Sequence, residues 1–283
     1  MSTVTPVDPA PREAAPRLTN VPAATRPGWT PPDDPRLAFV LSMADDELMI
    51  GHRHAHWTGV APTLEADLAF SSLAQDEIGH AAIWYGVAEE LTGQDEDTLA
   101  FGRAPAAYRH ATLLEAEPGD WAFTLVRQHA YDLFDHLRLD ALTDSEDASI
   151  VGVLGPILRE ERLHRAHARA WLSRAVEGSA VGRDRVLAAA DQVLGQAGGL
   201  FETLPWEEEL VKDGTLPLMM GDLREPWIAA LREDYDSFGI PEAVDGLDLA
   251  GGLGGRQGTH TSVFLPLWQE MTALFRDHPG ATW

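Results

Sequence analysis

At 283 residues the chain can form one large domain or two small ones, with a sizeable core of its own. Its 45 Asp and Glu against 21 Lys and Arg give a formal net charge of -24, a surface that repels phosphate polyanions and anionic lipid and so argues against nucleic-acid and membrane partners. There is no cysteine, which excludes disulfides, zinc ribbons, iron–sulfur clusters and thiol catalysis; any metal site must be built from carboxylates and histidines. No apolar run approaches the roughly 20 residues of a membrane span. The first residues also lack the apolar stretch of a secretory leader. A cytoplasmic protein is expected.

Pro6, Pro9, Pro11, Pro16, Pro22, Pro27, Pro31 and Pro32 crowd residues 1–34. Proline lacks a backbone donor and breaks helices, so this stretch is read as a disordered or surface-draped tail, with one helical domain over 35–283. Pro35 suits the first turn of a helix. Val40, Met43, Ile50, His54 and Trp57 then recur at helical spacing and predict a first helix over about 35–57. After the turn Thr58-Gly59-Val60-Ala61-Pro62-Thr63, a second helix is expected over about 64–92, with Phe70, Leu73, Trp84 and Leu91 inward, ending at Gly93. Residues 93–118 show no sustained period and read as a crossover.

A third helix is expected from Asp120 to Leu142, and a fourth, after an acidic turn, over about 148–176. Further helices are expected over about 182–203, 222–237 and 261–276. No strand alternation is long enough for a sheet. Short turn, long crossover, short turn is the connectivity of a ferritin-like four-helix bundle, here an all-α fold with its core over about 35–176 and extra C-terminal helices. Gly251-Gly252-Leu253-Gly254-Gly255 lacks the Lys-Ser/Thr and the strand of a phosphate loop, and reads as a hinge before the last helix. No nucleophile elbow supports serine hydrolysis.

Two helices carry Glu-x-x-His: Glu77-Ile78-Gly79-His80 and Glu161-Arg162-Leu163-His164. At i and i+3 both side chains leave one helix face and can grip a common ion. Each pair lies on an apolar stripe: Glu77 follows Phe70 and Leu73, and Glu161 follows Leu154 and Ile157, by seven and four residues. Carboxylates there are costly to bury unless paired or metal-bound. A di-iron or di-manganese bundle needs one more carboxylate from each of the other helices. Glu47, 30 residues before Glu77, and Asp132, 29 before Glu161, lie on the inner stripes of those helices.

At about 1.5 Å per residue, Glu47 sits roughly 16 Å before the first turn and Glu77 roughly 20 Å after it, so two antiparallel hairpins bring their ligands to similar heights. The expected ligands are Glu47, Glu77, His80, Asp132, Glu161 and His164. Oxygen-rich ligation with two imidazoles suits two iron ions, or manganese, better than a closed zinc site. Asp76 and Glu160 stand four residues before His80 and His164, and each is expected to accept a hydrogen bond from the free ring nitrogen of that histidine on its own helix. His52, His54 and His56 scatter around the first helix, and only His54 faces the site. Asp135 and His136, one turn beyond Asp132, admit a reading as an alternative ligand and a group supporting the ligands, but read first as polar positions toward the bundle edge. An acidic core patch without metal is the bland alternative.

With these residues in place the sequence resembles the ring-hydroxylating phenylacetyl-CoA oxygenase (epoxidase) family of the PaaA/PaaC type, over about residues 38–283. Gly93-Gln94-Asp95-Glu96-Asp97-Thr98-Leu99-Ala100-Phe101, Arg127-Gln128, and the ending Gly258-Thr259-His260-Thr261 through Pro279-Gly280-Ala281-Thr282-Trp283 resemble the PaaC branch. Gln75-Asp76-Glu77-Ile78-Gly79-His80, with the 30- and 29-residue spacings, is similar to the catalytic PaaA branch. The resemblance implies a complex that converts phenylacetyl-CoA to a ring 1,2-epoxide with dioxygen and electrons from a separate NADPH-dependent reductase. It implies PaaA-like and small PaaB-like partner subunits, an oligomer, and an aromatic CoA thioester as substrate. In the family PaaA carries the di-iron centre, whereas PaaC is a paralogous partner often missing ligands; this chain joins a PaaC-like length and ending to all six ligand positions. Two other readings stay open: a non-catalytic subunit that braces a PaaA-type partner, and a ferritin-like iron-oxidising protein.

Overall fold

The computed structural model describes residues 34–281; nearly all of the stretch read as a proline-rich tail, and the final two residues, lie outside them. Helix α1 (Pro35–Ala55) begins where the Asp34 side chain accepts a hydrogen bond from Arg36 N and Pro35 fills the first turn. Helix α2 (Leu64–Thr92) is capped by Thr63, which accepts from Ala66 N, and stops at Gly93, whose φ of 68° is the left-handed conformation glycine adopts without strain. The crossover holds two short helices, α3 (Glu96–Phe101) and α4 (Thr112–Glu115). Helix α5 (Trp121–Leu142) starts on Asp120, and α6 (Ala148–Gly178) on Asp147. The side chain of each accepts from the backbone N–H of Phe123 and Ser149, respectively.

α1 packs along α2 and α5 along α6, and α2 meets α6 across the bundle. The faces so buried carry Val40, Met43 and Ile50 from α1, Phe70 and Trp84 from α2, Leu125 and Leu133 from α5, and Leu154 and Ile157 from α6. Each such side chain contributes roughly 1.5–3 kcal/mol by leaving water, so the two hairpins are held by their apolar stripes rather than by their turns. Among the described residues there is no strand, and no helix is long and apolar enough to cross a membrane. The all-α fold is that expected, with the connectivity of a ferritin-like bundle.

Beyond the bundle the expected helices are shorter and broken. The fifth helix, α7 (Ala180–Leu194), gives way to a 3₁₀ turn at Ala197–Phe201 instead of running to 203. The cause is close backbone approach: a Cβ on Gly198 would lie 2.0 Å from the Leu249 carbonyl oxygen, and one on Gly252 1.8 Å from that of Gln196. The segment Gly251–Gly255 is therefore no hinge but half of a packed glycine seam, and Gly255 extends it onto His110 O.

Helix α8 (Glu207–Lys212) was not legible as a helix, and α9 (Arg224–Ser237) follows a 3₁₀ turn over Met220–Leu223. The last expected helix splits into α10 (Phe264–Met271) and α11 (Ala273–Asp277). A buried clasp ties this C-terminal region to the crossover. Glu115 accepts from His110 Nε2 at 2.7 Å, from His260 Nδ1 at 3.0 Å, and from the Thr261 backbone N–H. Burial raises its pKa, but the two histidines prevail and hold it down at about 2.

Candidate metal centre

The two hairpins bring the six expected side chains into one buried cluster. Glu47, Glu77, Asp132 and Glu161 are fully buried, and His80 and His164 nearly so. Ligand atoms of Glu47, Glu77, His80 and Glu161 all lie within 4.8 Å of one another. His164 joins them with Nδ1 3.0 Å from Glu161 Oε1 and 3.3 Å from Glu77 Oε1. His80 Nδ1 stands 3.5 Å from Glu161 Oε1, 3.7 Å from Glu77 Oε2 and 3.8 Å from Glu47 Oε2. Asp132 sits close enough to feel the charges of Glu161 and Glu77.

The inward atoms have nothing else to bind. Both carboxylate oxygens of Glu77, Asp132 and Glu161, Glu47 Oε2, and Nδ1 of His80 and His164 lack any hydrogen-bond partner among the described residues. A buried acceptor left in that state costs about 1–3 kcal/mol, more when charged, and native interiors hold only a few such groups per hundred residues. A set of them facing each other is what a dication pair would satisfy. Four carboxylates with two imidazoles is also the hard, oxygen-rich donor set that suits iron or manganese. The residues present therefore fit the group expected of them.

The acids flanking each motif serve the opposite histidine, which corrects the expected pairing. His80 Nε2–H donates to Glu160 Oε2 at 2.7 Å, and His164 Nε2 faces Asp76 Oδ2 at 3.4 Å. The imidazoles aim Nδ1 into the cluster, so Nε2 points across the α2–α6 seam, where the neighbouring helix supplies the carboxylate. The two rings stack 5.8 Å apart with a 30° tilt. Each acid still fixes the tautomer that leaves Nδ1 free for a metal.

Electrostatics follow from the crowding. Burial, then the charges of Asp135 and Glu77, push Glu47 well above the carboxylate range; burial, Glu161 and Glu77 do the same to Asp132. Glu77 goes the other way: burial opposes its charge, but His164 and His80 hold it well below that range. The carboxylates overcome burial at both histidines, raising His80 and taking His164 up to about 12. The cluster thus holds its negative charge in check with protons that a metal ion would displace.

Several residues that sequence reasoning missed complete the surroundings. The Tyr131 hydroxyl donates to Glu47 Oε1 at 2.9 Å. Arg138 Nη2 lies 3.8 Å from the same oxygen, while Nη1 donates to Asp46 Oδ2 at 2.7 Å and Nε to Asp135 Oδ1 at 2.9 Å. Asp135 is therefore not an edge position; it is buried, and burial leads in raising its pKa to about 7. His136, half-buried, stays nearer the edge. Asp46 bridges Arg138 to Arg256 of the C-terminal segment at 2.8 Å, so the seam region and the cluster share a buried charge network. The spacings Asp132, Asp135 and Arg138 at i, i+3 and i+6 were the available signal. His54 is buried beside Glu77 and His164, edge-on to Phe70 at 5.2 Å, and burial brings its pKa down to about 3. His56 reaches outward to Glu270 at 3.2 Å.

Comparison with known proteins places this architecture. Residues 24–283 match the model of the family described as phenylacetic acid catabolic protein, PaaA_PaaC. Over 249 residues the chain is 30% identical to the C subunit of the 1,2-phenylacetyl-CoA epoxidase of Escherichia coli (strain K12), an alignment covering 87% of this chain and 98% of that one. The family match and the alignment both span most of the chain: this chain belongs to the phenylacetic acid catabolic protein family.

Proposed function

We propose that this chain is a subunit of a multicomponent ring-oxygenating monooxygenase of the phenylacetyl-CoA epoxidase type, and that it holds two iron ions among Glu47, Glu77, His80, Asp132, Glu161 and His164. The observation that carries the reading is the set of inward, buried ligand atoms with no partner of their own. Bound iron would supply reductive activation of dioxygen, with electrons from a separate NADPH-dependent reductase. The chain's residues do the rest. Glu160 and Asp76 keep His80 and His164 oriented, Tyr131 holds one oxygen of Glu47 so that the other faces the cluster, and Arg138 offsets part of the carboxylate charge. Phe70, Leu154 and Ile157, fully or almost fully buried on the ligand stripes, keep bulk water away.

PaaA-like and PaaB-like subunits complete the assembly in this reading, and an aromatic CoA thioester is the substrate. A chain of net charge -24 offers few anchors for coenzyme A phosphates, so much of that pocket belongs to the partner. The test is reconstitution with the two partner subunits and the reductase, following NADPH-dependent loss of phenylacetyl-CoA with wild-type chain and with Glu77→Ala/His80→Ala. A loss of tenfold or more, in a complex that still assembles by gel filtration, supports catalytic iron here. Unchanged turnover in the assembled variant would make this chain a brace for a partner that does the chemistry.

A further inference from the structure

Three of the buried arginines meet aspartates: Arg103 meets Asp45, and Arg138 and Arg256 meet Asp46. Arg53 and Arg127 do not. Arg53 donates from Nε at 2.9 Å and from Nη2 to the Glu115 carbonyl, and Arg127 Nη1 donates to the Ala116 carbonyl. Both therefore close over the C-terminal end of α4, where helix carbonyls are unsatisfied. No described carboxylate forms an ion pair with either: Glu115 turns its side chain to the histidine clasp, and Glu117 and Glu270, which Arg53 feels at a distance, are exposed.

Arg127 is the more demanding of the two. It is 0% exposed, and Nε and Nη2 have no hydrogen-bond partner among the described residues. Those two atoms form the side-on fork of the guanidinium, the edge that matches both oxygens of a carboxylate or phosphate. Burial, then the neighbouring Arg53, bring its pKa down to about 9. The Phe123 ring lies 5.8 Å from the guanidinium carbon, but a buried cation whose fork is free and which feels the charge of another cation is expensive unless something negative meets it. His54, fully buried with both ring nitrogens unpartnered, lies near enough to feel the same charge and offers a neutral N–H.

We propose that Arg127, with Arg53 beside it, forms a binding site for a small oxyanion, gripped side-on by Arg127 Nε and Nη2. His54 feels the charge of Arg127 and of Glu77 alike, but the site has the opposite charge to the carboxylate cluster and shares no side chain with the six expected ligands, so it is not part of the metal centre. Carboxylates and phosphate share the planar two-oxygen edge that the fork reads, and the probes below separate them.

The experiment uses the full chain, stripped of metal with a chelator, and follows the thermal midpoint at constant ionic strength as sodium chloride is replaced by sodium formate or by sodium phosphate. The expected result is a saturable rise for one or both oxyanions relative to chloride, reaching several degrees at about a hundred times Kd. Arg127→Met keeps the apolar stem and removes the fork. It should lose the response and melt in chloride at or above the wild-type midpoint. Formate alone identifies a carboxylate site, and phosphate alone a phosphate site. No rise beyond chloride, or an equal rise in Arg127→Met, overturns the proposal. Should Arg127→Met not fold, isothermal titration of the wild type decides: a saturable one-to-one isotherm supports the site and a flat titration for both anions overturns it.

Discussion

Asp46→Asn removes one charge and almost no volume from a buried carboxylate that accepts four hydrogen bonds. Asp46 is fully buried and accepts from Arg138 Nη1 at 2.7 Å, from Arg256 Nη1 and Nη2 at 2.8 Å each, and from Ala111 N at 2.9 Å. Burial disfavours its charge, yet Arg256 and Arg138 together keep its pKa below the usual carboxylate value. The asparagine would present a donor NH2 where a guanidinium also donates, and would leave Arg256 without its carboxylate and Arg138 with Asp135 and the more distant Glu47. Removing one partner of such a network costs about 3–5 kcal/mol. For a domain of this size that is roughly 6–20 °C in thermal midpoint.

The reasoning also predicts an effect at the cluster. Freed from Asp46, the Arg138 guanidinium turns more fully onto Glu47, 3.8 Å away, and competes there with a dication. Urea unfolding followed by far-UV circular dichroism measures the first effect; chelator competition for ferrous iron measures the second. A cycle with Arg256→Met isolates the pair, because the double variant removes the orphaned cation and should recover a measurable part of the loss. A cost below about 1 kcal/mol, the range of an exposed ion pair, would refute the account of Asp46 as the tie between cluster and C-terminal seam.

Glu160→Ala should weaken metal affinity about 10–100-fold through His80, on the other helix, while leaving the fold intact; competition with a chelator reads this, and an effect confined to His164 would point to same-helix pairing instead. Gly252→Ala should destabilise strongly, because its Cβ would meet Gln196 O at 1.8 Å at a backbone φ of 76°; a thermal midpoint within a degree of wild type would mean that the seam is loose. His54 is buried neutral, with a pKa of about 3 against 6.5 for the free side chain. Its contribution is therefore complete above pH 6.5 and falls by about 1.4 kcal/mol per pH unit below it, as the unfolded chain alone takes up the proton. Relative to His54→Leu, the wild type should lose about 2 kcal/mol between pH 7.5 and pH 5 in urea titrations; parallel pH curves would show that His54 is protonated in the folded state.

The bundle was legible because its helices obey one period over 20 residues and more, with Asp, Thr or Pro at the starts and Gly93 at one end. The buried carboxylate–histidine cluster was legible for the same reason: a carboxylate on an apolar stripe contradicts its surroundings unless something compensates it. What the sequence could not convey depends on contacts between distant segments. Asp76 and Glu160 share a face with their own histidines, and only the placement of α2 against α6 reveals that they serve each other's. Asp46 next to Glu47, and Arg256 over 200 residues away, give no periodic signal of meeting. Beyond 178, α7 gives way where the glycine backbones at 199 and 252 meet, a tertiary event that local propensity does not encode.

The central claim is that six side chains on four helices form a dinuclear metal site, and its most direct test is metal stoichiometry. Ferrous iron is loaded anaerobically onto the isolated wild-type chain and onto Glu77→Ala/His80→Ala, excess is removed, and iron per chain is counted. The account predicts about two irons per wild-type chain, as the di-iron carboxylate template requires, and their loss from a double variant that remains helical. Substoichiometric iron in the wild type, unchanged by the substitutions, would contradict it.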